Sequence, residues 1–315
     1  MPERRFGLIE RMRAAGLPPP DAATMAALLD IVDEGVLGAS RHVGLSMDLV
    51  ARLADEGPRG TAWRVAEETA RFVAEVRGEG APIVANALAW QTAGIAELPE
   101  GERAGALAAR VDAWSTAARD RRDRLVRAAV AALADCRAPL VFDYSSTVSD
   151  IVVALAARGL ERIVVPESRA IDGGRPYLRD FAALGVPLHV LPDAASEHAA
   201  ALSDAMLIGA ESVTADGGVV NTIGSVPHAR AARAAGVPVY GAADLFKVGA
   251  IASADWPAPP LRRYPALEGE IAVDSRAPEL EIVPPSLLTA LLTEVGPVSP
   301  GELPARVADR VEGRP

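Results

Sequence analysis

Cysteine is all but absent: Cys136 stands alone in a chain of 315 residues. No intramolecular disulfide can form, no cysteine-built metal site can be assembled, and a reducing compartment is expected. The four histidines, His42, His189, His198 and His228, are scattered, and no carboxylate group has ligand spacing, so neither a metal nor another cofactor is expected. Long apolar runs are missing too. None reaches membrane-spanning length, and the opening MPERRFGLIERM lacks the apolar core of a signal peptide, which predicts a cytoplasmic protein without membrane contact. Positive charge is in short supply, 32 Lys and Arg against 42 Asp and Glu for a net charge of −10. With no long basic stripe, a nucleic acid is not expected as a direct partner. Gly-x-Gly-x-x-Gly does not follow the first strand-like run, and no phosphate loop ending in Gly-Lys-Ser/Thr occurs, which removes the two commonest nucleotide-binding signatures.

What remains is an alanine-rich chain, 50% hydrophobic and 4% aromatic, long enough to bury a substantial core and to form two domains. Residues 1–137 read as an all-helical domain. Asp21 follows Pro18-Pro19-Pro20 as a helix cap, and Met25, Leu28, Leu29 and Val32 recur at helical spacing. Helices are predicted at 45–53, 61–76, 83–90 and 104–133, with Trp63, Trp90 and Trp114 on apolar faces. The charged run ARDRRDRLVRAA reads as a solvated helix face. Residues 138–315 read as a Rossmann-like α/β domain with a ligand cleft and a dimer interface. Short apolar runs at 139–144, 162–168, 187–193, 204–210 and 238–244 alternate with helical stretches at 148–159, 177–184, 197–203 and 226–235. That alternation predicts right-handed βαβ units and a parallel sheet covered on both faces.

Chemistry-bearing residues gather at the predicted strand ends. Leu207 to Ser225, LIGAESVTADGGVVNTIGS, holds a buried strand, then Gly209-Ala210 where the backbone can approach a neighbour, then Glu211 at the tip. Glu211 is placed for chemistry or ligand hydroxyls; a solvated loop glutamate is the alternative. Ser145, Ser146, Thr147 and Ser149 open the helix after the first strand, suited either to a phosphate or to capping of that helix by Ser146 or Thr147.

Four segments together resemble a known family: VPESRAIDGGRPYLRDFAALGVPLHVLPDAA (165–195), DAMLIGAESVTADGGVVNTIGS (204–225), GVPVYGAADLFKV (236–248) and VPPSLLTALLTEVGPVSPGEL (283–303). The family unites the alpha, beta and delta subunits of eukaryotic translation initiation factor 2B with isomerases acting on ribose 1,5-bisphosphate and methylthioribose 1-phosphate. The resemblance implies a phosphorylated sugar or nucleoside monophosphate as ligand and a homodimer as the assembly. It places Ser145 where the isomerases carry a catalytic cysteine, and Glu211 where they carry an aspartate. Their substrate-holding Asn-Lys pair reads Asn221-Thr222, and the Arg-Gly-Ala phosphate motif reads Leu37-Gly38-Ala39 with Arg41 displaced. The Glu167-Ser168-Arg169 segment, Asn221 and Lys247 are retained. Cys136 precedes the strand and is expected at the opposite sheet edge. A serine hydroxyl stays protonated where a thiol can supply a base, so the resemblance implies a ligand-binding site whose isomerase chemistry is reduced or altered. The alternatives are an active aldose-1-phosphate isomerase, with Glu211 aided by Asp143 or a bound phosphate, and a regulatory subunit. The apolar PPSLLTALLTEVG near the C-terminus, with its i, i+3, i+4 spacing, is expected to pack in the core.

Overall fold

A computed structural model describes residues 2–32, 39–58, 60–78, 80–263 and 274–312. The chain divides between Asp120 and Arg121 into two compact units.

The first unit is helical. It contains α1 (Pro2–Ala14), α2 (Ala22–Val32), α3 (Ala39–Glu56), α4 (Ala62–Gly78), α5 (Pro82–Thr92) and the first part of α6 (Glu100–Ala132). Asp21 caps α2, its carboxylate accepting the Thr24 N–H at 2.7 Å. Trp90 and Trp114 meet with ring centroids 5.6 Å apart. The helix α1 has no counterpart in the sequence reading, which begins its helices at Asp21.

The second unit is α/β. Its strands are β1 (Pro139–Phe142), β2 (Ile163–Pro166), β3 (Leu188–Leu191), β4 (Ala205–Gly209), β5 (Ser212–Val213), β6 (Val219–Thr222), β7 (Val239–Ala242), β8 (Leu261–Arg263), β9 (Arg276–Pro278), β10 (Leu280–Val283), β11 (Ala290–Thr293) and β12 (Gly296–Val298). Helices α7 (Ser146–Ala156), α8 (Arg175–Phe181), α9 (Ser196–Ala201) and α10 (Ser225–Ala234) separate the first strands, and α11 (Leu303–Glu312) closes the described chain. The main sheet runs β12-β11-β7-β4-β1-β2-β3, parallel except for the edge strand β12. All five predicted strands are present. Successive side chains point to opposite faces of a strand, and the core divides accordingly. Leu140, Phe142, Met206 and Ile208 pack on one face, Val141, Val165 and Leu207 on the other.

Two departures are informative. Ala290–Thr293, inside the segment with helical apolar spacing, is a fully buried strand parallel to β7. Periodicity alone cannot separate a short buried strand from a helix. The charged run of α6 is not solvated throughout. Arg121 is buried, its guanidinium 4.3 Å from the Phe246 ring centroid and 3.8 Å from the Asp244 carboxylate. Arg122 pairs with Asp150 of α7 at 2.6 Å.

Candidate functional site

The chain winds outward from β1 to β2 and β3 on one side, then places β4 and β7 on the other. Loops leaving β1 and β4 therefore diverge, which opens a crevice at the carboxyl ends of these neighbouring strands. Phe142 and Ile208 are in register, so Asp143 and Gly209 step off side by side. A Cβ on Gly209 would lie 2.5 Å from that of Ser145, and this close approach is what the glycine provides.

Ser145 caps α7, its hydroxyl accepting the Val148 N–H at 3.4 Å. The cap is thus Ser145, where the sequence pointed to Ser146 or Thr147. Ser146 is exposed, and its carbonyl accepts from Arg122 at 2.7 Å; Thr147 is half-buried. Ser149 turns instead to the Asp180 carboxylate at 2.5 Å, which also accepts the Tyr144 hydroxyl at 3.1 Å.

Asp143 directly follows β1 and is the hub of the hydrogen bonds at these strand ends. Its residue is 7% exposed, Oδ1 accepts the Ser168 hydroxyl at 3.1 Å, and Oδ2 accepts the Thr222 hydroxyl at 2.8 Å. The buried Tyr177 hydroxyl donates to the Asp143 carbonyl at 2.9 Å and accepts the Ser145 N–H at 3.0 Å. Asp193, at the end of β3, receives the N–H groups of Ser168 and Arg169 at 2.9 and 2.8 Å. Asp143, Ser168 and Asp172 have φ of 57°, 48° and 58°, and among the described residues these are the non-glycine positions with positive φ. Such backbone is costly for residues with a side chain, and it persists where surrounding contacts fix it. Gly173 completes the corner, since a Cβ there would lie 2.0 Å from Asp143 Oδ1.

Glu211 is half-buried at the tip of β4, and its N–H donates to the Val220 carbonyl at 2.9 Å. Lys247 reaches the adjoining Ala210 carbonyl at 2.5 Å. Asn221 and Thr222 are adjacent on β6 and point to opposite faces, as strand geometry requires. Thr222 faces Asp143, whereas Asn221 donates to the Ser225 hydroxyl at 3.1 Å and helps form the turn into α10. The N–H groups of Gly224 and Val226 at that helix start are taken by the Glu281 carboxylate, at 2.6 and 2.8 Å. The Arg169 side chain is exposed and 3.7 Å from Glu167. Ser145, Ser168 and Thr222 are thus linked through Asp143 and Tyr177, while Lys247 meets the main chain beside Glu211 and the Arg169 side chain meets Glu167. Arg41 is exposed on α3 of the helical unit. Gly38 lies outside the described residues.

Cys136 lies at the other end of β1, its thiol donating to Asp204 at 3.0 Å. Burial and that carboxylate push the thiol far above its ordinary range, so the thiol is held uncharged. Sequence reasoning overlooked Tyr177 and understated Asp143, because a buried bridging hydroxyl and a strained carboxyl leave no motif. Gly173-Gly174 beside Ser168 was the available signal.

Burial raises the Asp143 pKa, with the Glu211 charge adding to it, while hydrogen bonds from Thr222, Ser168 and the Tyr144 backbone pull the other way. A native pKa above the unfolded value means that the unfolded chain holds fewer protons across that interval. This group's contribution to stability therefore falls as pH rises from about 4 through the raised native value, and is flat above it. Urea midpoints across this window should fall less steeply in Asp143→Asn than in the parent; identical slopes would refute the assignment.

Fold and crevice define a class: an α/β protein with polar side chains gathered where a parallel sheet reverses its winding. The model of the Initiation factor 2 subunit family matches residues 84–300, and the chain belongs to that family. A methylthioribose-1-phosphate isomerase of Gloeobacter violaceus is 31% identical over 173 residues, covering 51% of this chain and 50% of the relative. A ribose 1,5-bisphosphate isomerase of Pyrococcus furiosus is 27% identical over 148 residues, covering 44% and 45%. The chain spans about half the length of the curated relatives it matches. In fold it is similar to the translation initiation factor eIF-2B of Pyrococcus horikoshii OT3, with a TM-score of 0.71 at 21% identity over 89% of this chain and 98% of that one. Among the described residues no helix is long and apolar enough to cross a membrane.

Proposed function

We propose that this protein binds a phosphorylated sugar or nucleoside monophosphate in the crevice between β1 and β4, with the isomerase chemistry of its relatives altered. The observation that carries the reading is the convergence of Asp143, Ser168 and Thr222 through direct hydrogen bonds of 3.1 and 2.8 Å at the sheet's winding reversal. Ligands of open α/β sheets bind at such a place. The names of two relatives, isomerases of sugar phosphates, support the ligand class. Arg169, Lys247 and the start of α7 are the groups assigned to the phosphate, and Glu211 to the sugar hydroxyls. Altered chemistry follows from the thiol, which lies at the wrong end of β1 and is held uncharged.

The test is thermal unfolding with ribose 1,5-bisphosphate, methylthioribose 1-phosphate and a set of nucleoside monophosphates. A ligand at a hundred times its Kd stabilises by about 2.7 kcal/mol, and Arg169→Ala should diminish the shift. Unchanged melting with every one of these compounds would sink the reading.

A further inference from the structure

We propose that His228 is a proton-operated latch on the first turn of α10: neutral, it fastens that turn, and protonated, it releases the turn together with the hold of Thr222 on Asp143. The latch stands on the contacts of α10 alone, whereas its effect on a ligand of the crevice rests on the binding reading.

Three observations point to it. First, His228 is 1% exposed, and its ring lies 4.4 Å from that of Phe142. Second, its Nδ1 is 2.7 Å from the Gly224 carbonyl oxygen. A carbonyl only accepts, so Nδ1 carries the hydrogen and Nε2 is a bare acceptor. Third, Nε2 is buried and meets no hydrogen-bond partner. An aliphatic side chain would fill this place without an unmet nitrogen. An imidazole has a capacity that an aliphatic group lacks, which is to gain a charge near neutral pH.

That charge acts on a bonded turn. Protonated, Nε2 becomes a donor with no acceptor in reach, and an unpaired buried cation costs far more than an unmet neutral nitrogen. The proton therefore favours forms in which the ring reaches water and leaves the Gly224 carbonyl. The same turn gives the Gly224 and Val226 N–H groups to Glu281, at 2.6 and 2.8 Å, and the Ser225 hydroxyl to the Thr222 carbonyl at 2.7 Å. Thr222, two residues before Gly224, donates to Asp143 at 2.8 Å, so slack in the turn reaches that bond.

No neighbour is placed to hold the cation where it forms. Helix α10 packs against α9, β4, β7, β10 and the turn at 285–287. On α9, Glu197 and His198 are exposed, as are Arg230 and Arg233 of α10 itself. Strands β4 and β7 and the turn at 285–287 carry no charged residue, and Tyr240 of β7 packs on the other face of the sheet. Glu281 of β10 is engaged at the helix start, and Asp143 follows Phe142. Burial holds the imidazole below its ordinary range, outweighing the Gly224 carbonyl and the Asp193 charge, which favour the proton. A released ring regains its ordinary affinity, so the open form binds more protons than the closed one. Closure is strongest above about pH 6.5 and weakens as pH falls from there towards the lowered native value.

The experiment follows the full chain by NMR, titrating the His228 ring and measuring amide protection, corrected for intrinsic exchange, at pH 7.5 and 5.5. The ring should titrate below 6.5, and protection of the Gly224 and Val226 amides should fall about tenfold between the two pH values. His228→Asn keeps an N–H for the Gly224 carbonyl and takes no proton, so its protection should change less than twofold; His228→Leu, which removes the nitrogen, should be equally flat. A ring titrating at 6.5 or above overturns the latch. So does an equal tenfold fall in both variants, which would assign the effect to Glu281. At pH 5.5 the two amides should exchange faster than that of Leu207 in β4; equal protection would mean that the whole unit opens, and overturns a local latch. The thermal shift with ribose 1,5-bisphosphate should fall more between pH 7.5 and 5.5 in the parent than in His228→Asn, and equal falls overturn the reach of the latch to the crevice. No shift at pH 7.5 counts against the binding reading and leaves the latch to be decided by exchange.

Discussion

Gly224→Ala should destabilise the α/β unit by about 3 kcal/mol, the sum of a strained backbone and an overfilled core. Gly224 joins β6 to α10 with φ of 105°, a conformation that L side chains rarely adopt. A methyl group there would also lie 2.5 Å from the Phe142 ring. Phe142 is fully buried, and its ring lies 4.4 Å from that of His228, so it has nowhere to retreat. Any shift of the turn would pull the Gly224 and Val226 N–H groups off Glu281. Urea unfolding reads this as a lower midpoint with unchanged slope; a loss under about 1 kcal/mol would show that the turn yields at little cost.

Tyr177→Phe should cost about 3 kcal/mol and weaken ligand binding beyond what that loss of stability explains. The ring would survive the change, since its stack on Phe181, 5.2 Å away and inclined by 14°, needs no hydroxyl. What disappears is one oxygen that joins the Ser145 N–H to the Asp143 carbonyl. Removing it leaves two main-chain groups without their partner beneath the crevice, and an unmade buried hydrogen bond costs more than a made one gains. The strained Asp143 backbone loses part of what holds it. Denaturant midpoints and the sugar-phosphate thermal shift should both fall. A stability loss with an undiminished ligand response would show that this hydroxyl serves the fold alone.

Much of the α/β unit was legible because buried parallel strands leave unbroken apolar runs. Met206, Leu207 and Ile208 announce β4, and Gly209 announces the close approach that Ser145 makes. Residues 290–293 were ambiguous because four buried positions fit two periods. Arg121 was misread because charge along a helix signals water only until some other element covers one position, and Phe246 does so. At the site, the carboxyl residues at strand ends could be named in advance, but not their pairings. That Thr222 and not Asn221 faces Asp143 depends on how β6 is seated between β5 and β10. Long-range register of this kind is absent from local sequence.

The hydrogen bond between Thr222 and Asp143 also links two positions that look independent along the chain. A lysine at 222 would bring a cation against this carboxyl and keep it ionised. A hydroxyl lets the carboxyl take up or release a proton. The two positions are therefore coupled, and Thr222→Lys by itself would leave an ion pair where the carboxyl now meets a neutral donor.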